Sequence, residues 1–486
     1  MSAHDAIVVG AGPNGLAAAI VLAHAGLSVL VIEGAPRIGG GARTEELTLP
    51  GFMHDVCSAV HPLAAASPLF AALPLADHGL EFIEPPIALA HPFDDAAPAL
   101  LARDLGVTGR SLGVDADAYE SLLGPLARAW QKLAIDVLAP LHIPKHPMLL
   151  ARFAASGGQS VQRLVEHRFA GGQARGLIGG IAGHALQPFS HAGTAAIALM
   201  LAAAGHRVGW PIARGGARCI ASALGSYFTK LGGQVETGTF VKSLDELPAA
   251  RVVLLDLTPR QVLRVAERRL PSRYKRALGR FRYGPGVFKV DWALADAVPW
   301  RADECRQAGT LHLGGTIDEL AANEAAVARG EHPERPTVLI SQPTLFDTMR
   351  APSGAHILWG YCHVPNGSTI DMLPRIEAQI ERFAPGFRER VLARHVMTTA
   401  DLEARNPNLV GGDIGEGANT LRQLFLRPVA RWHPCRTPFK GLYLCSASTP
   451  PGGGVHGMCG YHAAKTALED IFDIPIHKVI DINVRR

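Results

Sequence analysis

Ala6-Ile7-Val8-Val9-Gly10-Ala11-Gly12-Pro13-Asn14-Gly15 is the stretch from which the fold is read. Four apolar residues in a row predict a short buried strand, and a glycine-rich turn follows at once. Leu16 to Ala25 predicts a helix and Ser28 to Ile32 a second strand, which Glu33 ends. The glycines have distinct mechanical roles, with a tight turn at Gly10, close backbone approach to a pyrophosphate at Gly12, and helix–strand packing at Gly15. Pro13 and Asn14 open the helix, whose free N–H groups and dipole favour an anion. Glu33 stands where a carboxylate accepts both hydroxyls of a ribose. Strand, turn, helix and terminal acid in register predict a dinucleotide-binding βαβ unit, and with it an α/β fold.

A second glycine-rich turn follows Glu33 and Gly34. Arg37-Ile38-Gly39-Gly40-Gly41-Ala42-Arg43-Thr44 is expected to bring backbone amides and two guanidinium groups back to the same pyrophosphate, where arginine pairs bidentately with phosphate oxygens. The run Glu-x3-Arg-x-Gly-Gly-x2-Arg-Thr resembles the extended FAD fingerprint of the amine oxidase and phytoene desaturase superfamily. NAD-dependent dehydrogenases lack it. The resemblance implies FAD and a discontinuous Rossmann-type domain of the glutathione-reductase/amine-oxidase type, joined to an α+β substrate domain.

Bulk properties agree with a multidomain globular enzyme. At 486 residues the chain is too long for one core. Apolar content of 48 % with 19 % charged residues describes a well-buried protein. A net charge of +4 is small for this length and argues against nucleic acid as a partner. The seven cysteines are scattered and form no CxxC pair, so neither a disulfide framework, a zinc site nor a redox-active dithiol is expected. No other metal-ligand spacing stands out. The first strand begins by Ala6, leaving no room for a signal or transit peptide. The longest uncharged apolar stretch, Ala192 to Gly205, falls short of the ~20 residues needed to cross a bilayer. A cytoplasmic location, with peripheral membrane contact as an option, is the expectation.

The FAD pattern returns in pieces along the chain. Residues 1–74 are expected to form the first part of the FAD domain and 75–205 a helical cap. Residues 206–287 are its second part, 288–425 a substrate domain with a mixed sheet, and 426–486 its third part. In the second part, Trp210 to Ala217 introduces a helix from Ile220 to Leu231. Gln234 to Val241 then alternates like a strand, and Val252 to Leu257 is another buried strand. By resemblance, Val241 lays its backbone along the adenine. No further GxGxxG turn with a preceding strand occurs, so no separate NAD(P)H domain is expected.

The third part carries the closing motif. Gly441 to Ala447, which includes Ser446, is strand and turn, and Ser448-Thr449-Pro450-Pro451-Gly452-Gly453-Gly454-Val455-His456-Gly457 leads into a helix starting at Met458. A helix N-terminus behind consecutive glycines offers amides and positive dipole to an anion. Gly454, Val455 and their neighbours would stabilise the charge that a reduced flavin develops. This tail, with Gly51 to Pro62, Gly411-Gly412-Asp413-Ile414, Gln423-Leu424-Phe425 and Arg427-Pro428, resembles the phytoene desaturase-related branch. Its closest likeness is to the subgroup of pyridine nucleotide-disulfide oxidoreductase domain-containing protein 2. Pro450 takes the place of a histidine found in carotenoid desaturases, a departure that bears on carotenoid desaturation and not on FAD.

Flavin chemistry needs an oriented C–H bond more than an array of side chains. His61, whose loop should run beside the flavin ring, His456 and Tyr461 are the candidate catalytic residues. Ser58 joins the FAD contacts, and Asp55 orders the loop. The resemblance implies a desaturase, dehydrogenase or flavin-dependent isomerase acting on an apolar, isoprenoid- or polyene-like substrate. FAD is non-covalent, and electrons pass to a quinone or O2. An amine or amino-acid oxidase is a second reading, and a non-enzymatic prenyl-binding escort a third.

Overall fold

The computed structural model describes residues 4–482. β1 (His4–Val9), α1 (Pro13–His24) and β2 (Val29–Glu33) form the expected βαβ unit. Its sheet has five parallel strands in the order Leu442–Leu444, Ala250–Leu255, β1, β2, Gln234–Thr237. Three distant stretches of chain therefore build one Rossmann-type layer. Its strands are continuous apolar runs because both faces are covered. On one face α1 packs between the helices Met458–Ala467 and Arg218–Lys230. On the other, Ile7, Val9, Leu30 and Ile32 pack on Val262 and Tyr274.

Helix α1 is buried on all sides, from Asn14 to Ala23. It can sit so deep because its crossings use glycine. A side chain on Gly15 would start 2.1 Å from the Gly10 carbonyl oxygen, and one on Gly460 would start 1.9 Å from that of Asn14. Neither contact is tolerable.

The second layer is a mixed sheet of seven strands, ordered Val391–Met397, Gly286–Leu294, His356–Val364, Val338–Ser341, Ala308–Leu313, Ile87–His91, Ala99–Leu101. Ala308–Leu313 runs parallel to Ile87–His91 and the remaining pairs are antiparallel. One face is apolar and packs on the helix Leu373–Phe383 through Ile376, Ile380 and Phe383. The register puts Lys289, Asp291, Trp359, Tyr361, Thr310 and His312 together on the opposite face.

Two of these strands correct the reading of residues 75–205 as a helical cap. Ile87–His91 and Ala99–Leu101 lie inside that stretch and pair into the substrate sheet. Ile87-Ala88-Leu89-Ala90-His91 is buried at every position, so it shows no strand alternation to read. The rest of the stretch is helical, and Thr194–Val208 packs on its neighbours and on the Rossmann core. Residues 144–169 form two helices, Pro147–Gly157 and Val161–Arg168, with the Ser160 hydroxyl capping the second through the Arg163 N–H. Strand Gln234–Thr237 ends four residues short of Val241, because Gly238 and Thr239 turn to donate to the carbonyls of Ala35 and Glu33. Among the described residues no helix is long and apolar enough to cross a membrane.

Candidate functional site

The first turn is closed by the Gly10 N–H donating to the Ile32 carbonyl at 2.8 Å. The second turn is drawn onto it by the Gly39 N–H, which donates to the Ala11 carbonyl at 2.9 Å. Gly40 comes so near that a side chain there would start 3.0 Å from the Gly12 Cα. Glu33 ends β2 with its carboxylate fixed by the N–H groups of Ala11 at 2.7 Å and Ala35 at 2.8 Å. That places a rigid carboxylate at the lip of the turn, where the ribose reading needs one.

The two arginines do not converge as expected. Arg43 lies 3.6 Å from Glu33 Oε1, beside the ribose position, and also donates to the Arg37 carbonyl. Arg37 itself is exposed. The backbone of the second turn, and not its guanidinium groups, is what meets the glycine turn. Gly34 is exposed at the end of β2, facing Phe240, and Val241 is buried in the core beneath the sheet.

A cavity of 640 Å³ adjoins the socket. Pro13, Asn14, Gly41, Ala42 and Ser58 reach it from the N-terminal side, and Ala447, Gly454, Val455 and His456 from the closing motif. Nearly 400 residues of chain separate these two groups; the shared sheet, the packing of α1 on helix Met458–Ala467 and the Ser67 hydroxyl donating to the His456 carbonyl at 2.7 Å unite them. Ser58 donates to the Gly41 carbonyl at 3.2 Å and contacts His61 Nε2 at 3.2 Å. His61 also lines the cavity, its Nδ1 buried without a partner among the described residues. Burial pushes its pKa down to about 4, and the Asp55 carboxylate only partly offsets this. His456 is held neutral in the same way, down to about 4, and its Nδ1 accepts the Met458 N–H.

Several expected site residues prove structural. Tyr461 is turned into the core against His462, because the helix Met458–Ala467 presents that face to α1 and the cap. It does not line the cavity, which corrects its reading as a catalytic candidate. Met458 is buried beside it. Ser446 donates to the Leu257 carbonyl at 2.9 Å, which ties the closing turn to the neighbouring strand's end. Thr44 donates to Asp55 at 2.8 Å, and Asp55 also accepts from the Ala217 N–H and from Arg350, each at 2.8 Å. Asp55 thus ties its loop to the second FAD segment and to the substrate domain, as an ordering residue.

Other parts of the cavity wall were not legible in sequence. Trp359 and Tyr361 meet edge to face there, 5.2 Å apart. Their alternation on a strand gave a signal for one face, but not for which face. Cys57 lines the wall with its thiol pushed up to about 11 by burial, a weak nucleophile. His184 lines it too and meets His312 at 3.1 Å. Among the described residues no group of three or more histidine, cysteine or acidic side chains could hold a metal ion. Asp256 was readable only as an acid ending an apolar strand, as Glu33 ends β2, and Glu416 carried no signal at all.

The arrangement suits a flavin dinucleotide. The start of α1, the second glycine turn and the closing motif line one cavity, and the Glu33 carboxylate is held beside them by the Ala11 N–H of the first turn. Among the described residues the N–H groups of Gly453, Gly454 and Val455 have no hydrogen-bond partner, as suits donors to a developing anion.

Residues 8–73 match the NAD(P)-binding Rossmann-like domain family. Pyridine nucleotide-disulfide oxidoreductase domain-containing protein 2 of Rattus norvegicus is 27 % identical over 96 % of this chain and 94 % of its own. The phytoene desaturase (neurosporene-forming) of Rhodobacter capsulatus is 26 % identical over 94 % of this chain and 92 % of its own. Among solved structures, putrescine oxidase bound to putrescine has a TM-score of 0.61 at 18 % identity, covering 97 % of this chain and 99 % of that one. An oxidoreductase from Methanosarcina mazei has a TM-score of 0.63 at 16 % identity, over 96 % and 99 %. These structural likenesses are likenesses of fold. With both turns, the discontinuous sheet and the closing motif in place, the chain is a flavin-type oxidoreductase, similar along most of its length to relatives of the amine oxidase/phytoene desaturase kind.

Proposed function

We propose that the chain holds FAD without a covalent link and uses it to remove hydrogen from, or to isomerise, an apolar isoprenoid- or polyene-like substrate. Bound FAD would supply a two-electron acceptor for hydride, and a quinone or O2 would take the electrons onward. Glu33 would hold the ribose, the turn at Gly12 to Asn14 the pyrophosphate, and Gly453 to Val455 the flavin edge. The observation that carries the substrate class is the wall beyond these motifs. Leu63, Leu138, Leu150, Phe153, Ile197 and Met200 line it, and among the described lining residues there is no lysine or arginine. Such a wall orients a hydrocarbon by shape and excludes water, and has no cation to receive a substrate carboxylate.

The cavity opens among exposed apolar residues. Leu141 and Phe425 line it and are 48 % and 50 % exposed, and Met148 and Ile143 beside them are 88 % and 87 % exposed. Lys145, Arg152 and Arg422, near these residues in sequence, are exposed. We propose that this mouth rests on an anionic membrane surface, from which substrate enters without crossing water.

Amine oxidation is the second reading, favoured by the Trp359–Tyr361 pair. Their planes lie at 83°, which does not form two parallel walls around an amine. The test is anaerobic bleaching of the flavin absorbance against polyenes, amines and acyl compounds. Bleaching by polyenes or isoprenoids alone is expected. Bleaching by amines alone would move the assignment to the second reading.

A further inference from the structure

Two carboxyls that belong to neither glycine motif stand inside the dinucleotide socket. Asp256 follows directly on strand Ala250–Leu255, whose register with β1 delivers it to the Gly10–Gly15 turn. Its Oδ2 accepts the Gly15 N–H at 2.9 Å. The same oxygen lies 2.9 Å from the point where a side chain on Gly12 would begin. It therefore borders the space that Gly12 leaves open, which in this motif is where a pyrophosphate approaches. Asp256 is only 7 % exposed.

Glu416 comes from the far side of the same socket. It lines the cavity with Gly415, Ala447 and Gly453, and its Oε2 is buried without a hydrogen-bond partner among the described residues. Its backbone is left-handed, with φ of 52°, a conformation uncommon for glutamate. The Asp256 carboxylate opposes the ionisation of Glu416.

We propose that Asp256 and Glu416 are part of the cofactor site, and that the pair takes up one proton when the pyrophosphate of FAD binds. This rests on the FAD reading above. An ionised Asp256 satisfies the Gly15 amide and neutralises the helix dipole in the absence of a phosphate. A pyrophosphate brings further negative charge to the same amides in a site shielded from water. Like charges at such separations cannot all persist there, and the weakest acid is protonated. A protonated carboxyl can then donate a hydrogen bond to phosphate, which an ionised one cannot.

The electrostatics of the surrounding elements support this. Burial, with Glu33 of β2 adding to it, pushes Asp256 up to about 7, although the Gly15 and Gly12 amides pull it down. Burial, followed by Asp256 and Asp413, holds Glu416 well above the usual carboxylate range, against Arg427 and the Ala447 amide. Asp413 is itself raised by burial, but its carboxylate accepts the amides of Gly284, Gly415 and Gly417. The nearby thiols are silent at neutral pH, since burial pushes Cys57 up to about 11, Cys459 up to about 12 and Cys445 well above its usual value. Burial also raises Tyr283. The titration near neutrality therefore belongs to the acid pair.

The sign is fixed by linkage. A group whose pKa is higher in the complex than in the free protein favours binding below its free pKa. That advantage is lost at about tenfold in Kd per pH unit as pH rises between the two values. FAD should thus bind more tightly at about pH 6 than at about pH 8.5.

The experiment titrates FAD into the apo-protein. Kd comes from flavin fluorescence between about pH 6 and about pH 9, and proton uptake from calorimetry at about pH 8 in phosphate and in Tris. Uptake of close to one proton per FAD is expected, with Kd rising about tenfold per pH unit above neutrality. Asp256→Asn and Glu416→Gln should each lower the uptake, flatten the pH profile and tighten FAD at about pH 8. A wild-type Kd independent of pH, with the same binding heat in both buffers, would overturn the proposal while leaving the FAD reading standing. So would full uptake in Asp256→Asn. Should either variant fail to fold, the wild-type buffer comparison decides alone. Absence of FAD binding even at about pH 6 would instead sink the cofactor reading and this proposal with it.

Discussion

At the scale of single residues, the site depends on a few groups whose partners are set by the backbone. Glu33 is held by two amides before any ribose arrives, so its carboxylate is preorganised. Glu33→Ala is expected to weaken FAD by on the order of 2 kcal/mol, about thirtyfold in Kd. Equal flavin occupancy of mutant and wild type at low FAD would show the ribose to lie elsewhere. Arg350 and Asp55 form a different kind of pair. Both are 1 % exposed, and Arg350 also donates twice to the Met53 carbonyl. Leaving one member of such a pair buried alone costs about 3–5 kcal/mol. Arg350→Leu should therefore lower the urea midpoint clearly, and a loss under about 1 kcal/mol would contradict the ordering role given to Asp55. The sequence suggested that role from Asp55's place in a loop. It could not name Arg350, which lies almost 300 residues away.

At the scale of elements, strand and helix identities were readable where Val, Ile and Leu cluster in a short run or recur at a helical period. Val338–Ser341 and His356–Val364 have such runs and form strands, and Leu373–Phe383 has the helical period and forms a helix. Ile87–His91, also buried at every position, was not readable, because with Ala88 and Ala90 it has neither alternation nor an enrichment in β-branched residues. The helices Pro147–Gly157 and Val161–Arg168 part just after the glycine pair Gly157-Gly158. Phe153 and Gly157 face the cavity while Met148 is exposed at its mouth, so this helix joins the interior to the surface. Wild type should co-sediment with anionic liposomes at low salt and less at high salt. Arg152→Glu/Arg163→Glu should reduce the low-salt fraction, since both arginines are exposed. Identical sedimentation of the two proteins under both conditions would leave the segment as an ordinary packed helix.

At the scale of the whole molecule, the parallel Rossmann-type layer and the mixed sheet border the same cavity. Among the described residues one GxGxxG turn follows a strand and precedes a helix, the turn between β1 and α1. NADH and NADPH are expected to bleach the bound flavin slowly in stopped-flow mixing. Rapid bleaching by either would reopen a reductase assignment.

The residues from Ala6 to Thr44 identify their own fold because strand, turn and helix contacts there are local. Gly15 must be glycine for reasons contained within a six-residue turn, and Glu33 is placed by the strand it ends. The discontinuous domain was also readable, since the closing motif has its own glycine signature. The composition of the cavity was not. Ala447, Trp359 and Glu416 meet there, and Asp256 reaches the neighbouring Gly10–Gly15 turn, only because separate strands pair in particular registers and sheets. Neither propensity nor spacing encodes such long-range pairing, and the proton balance of the acid pair depends on the burial it creates.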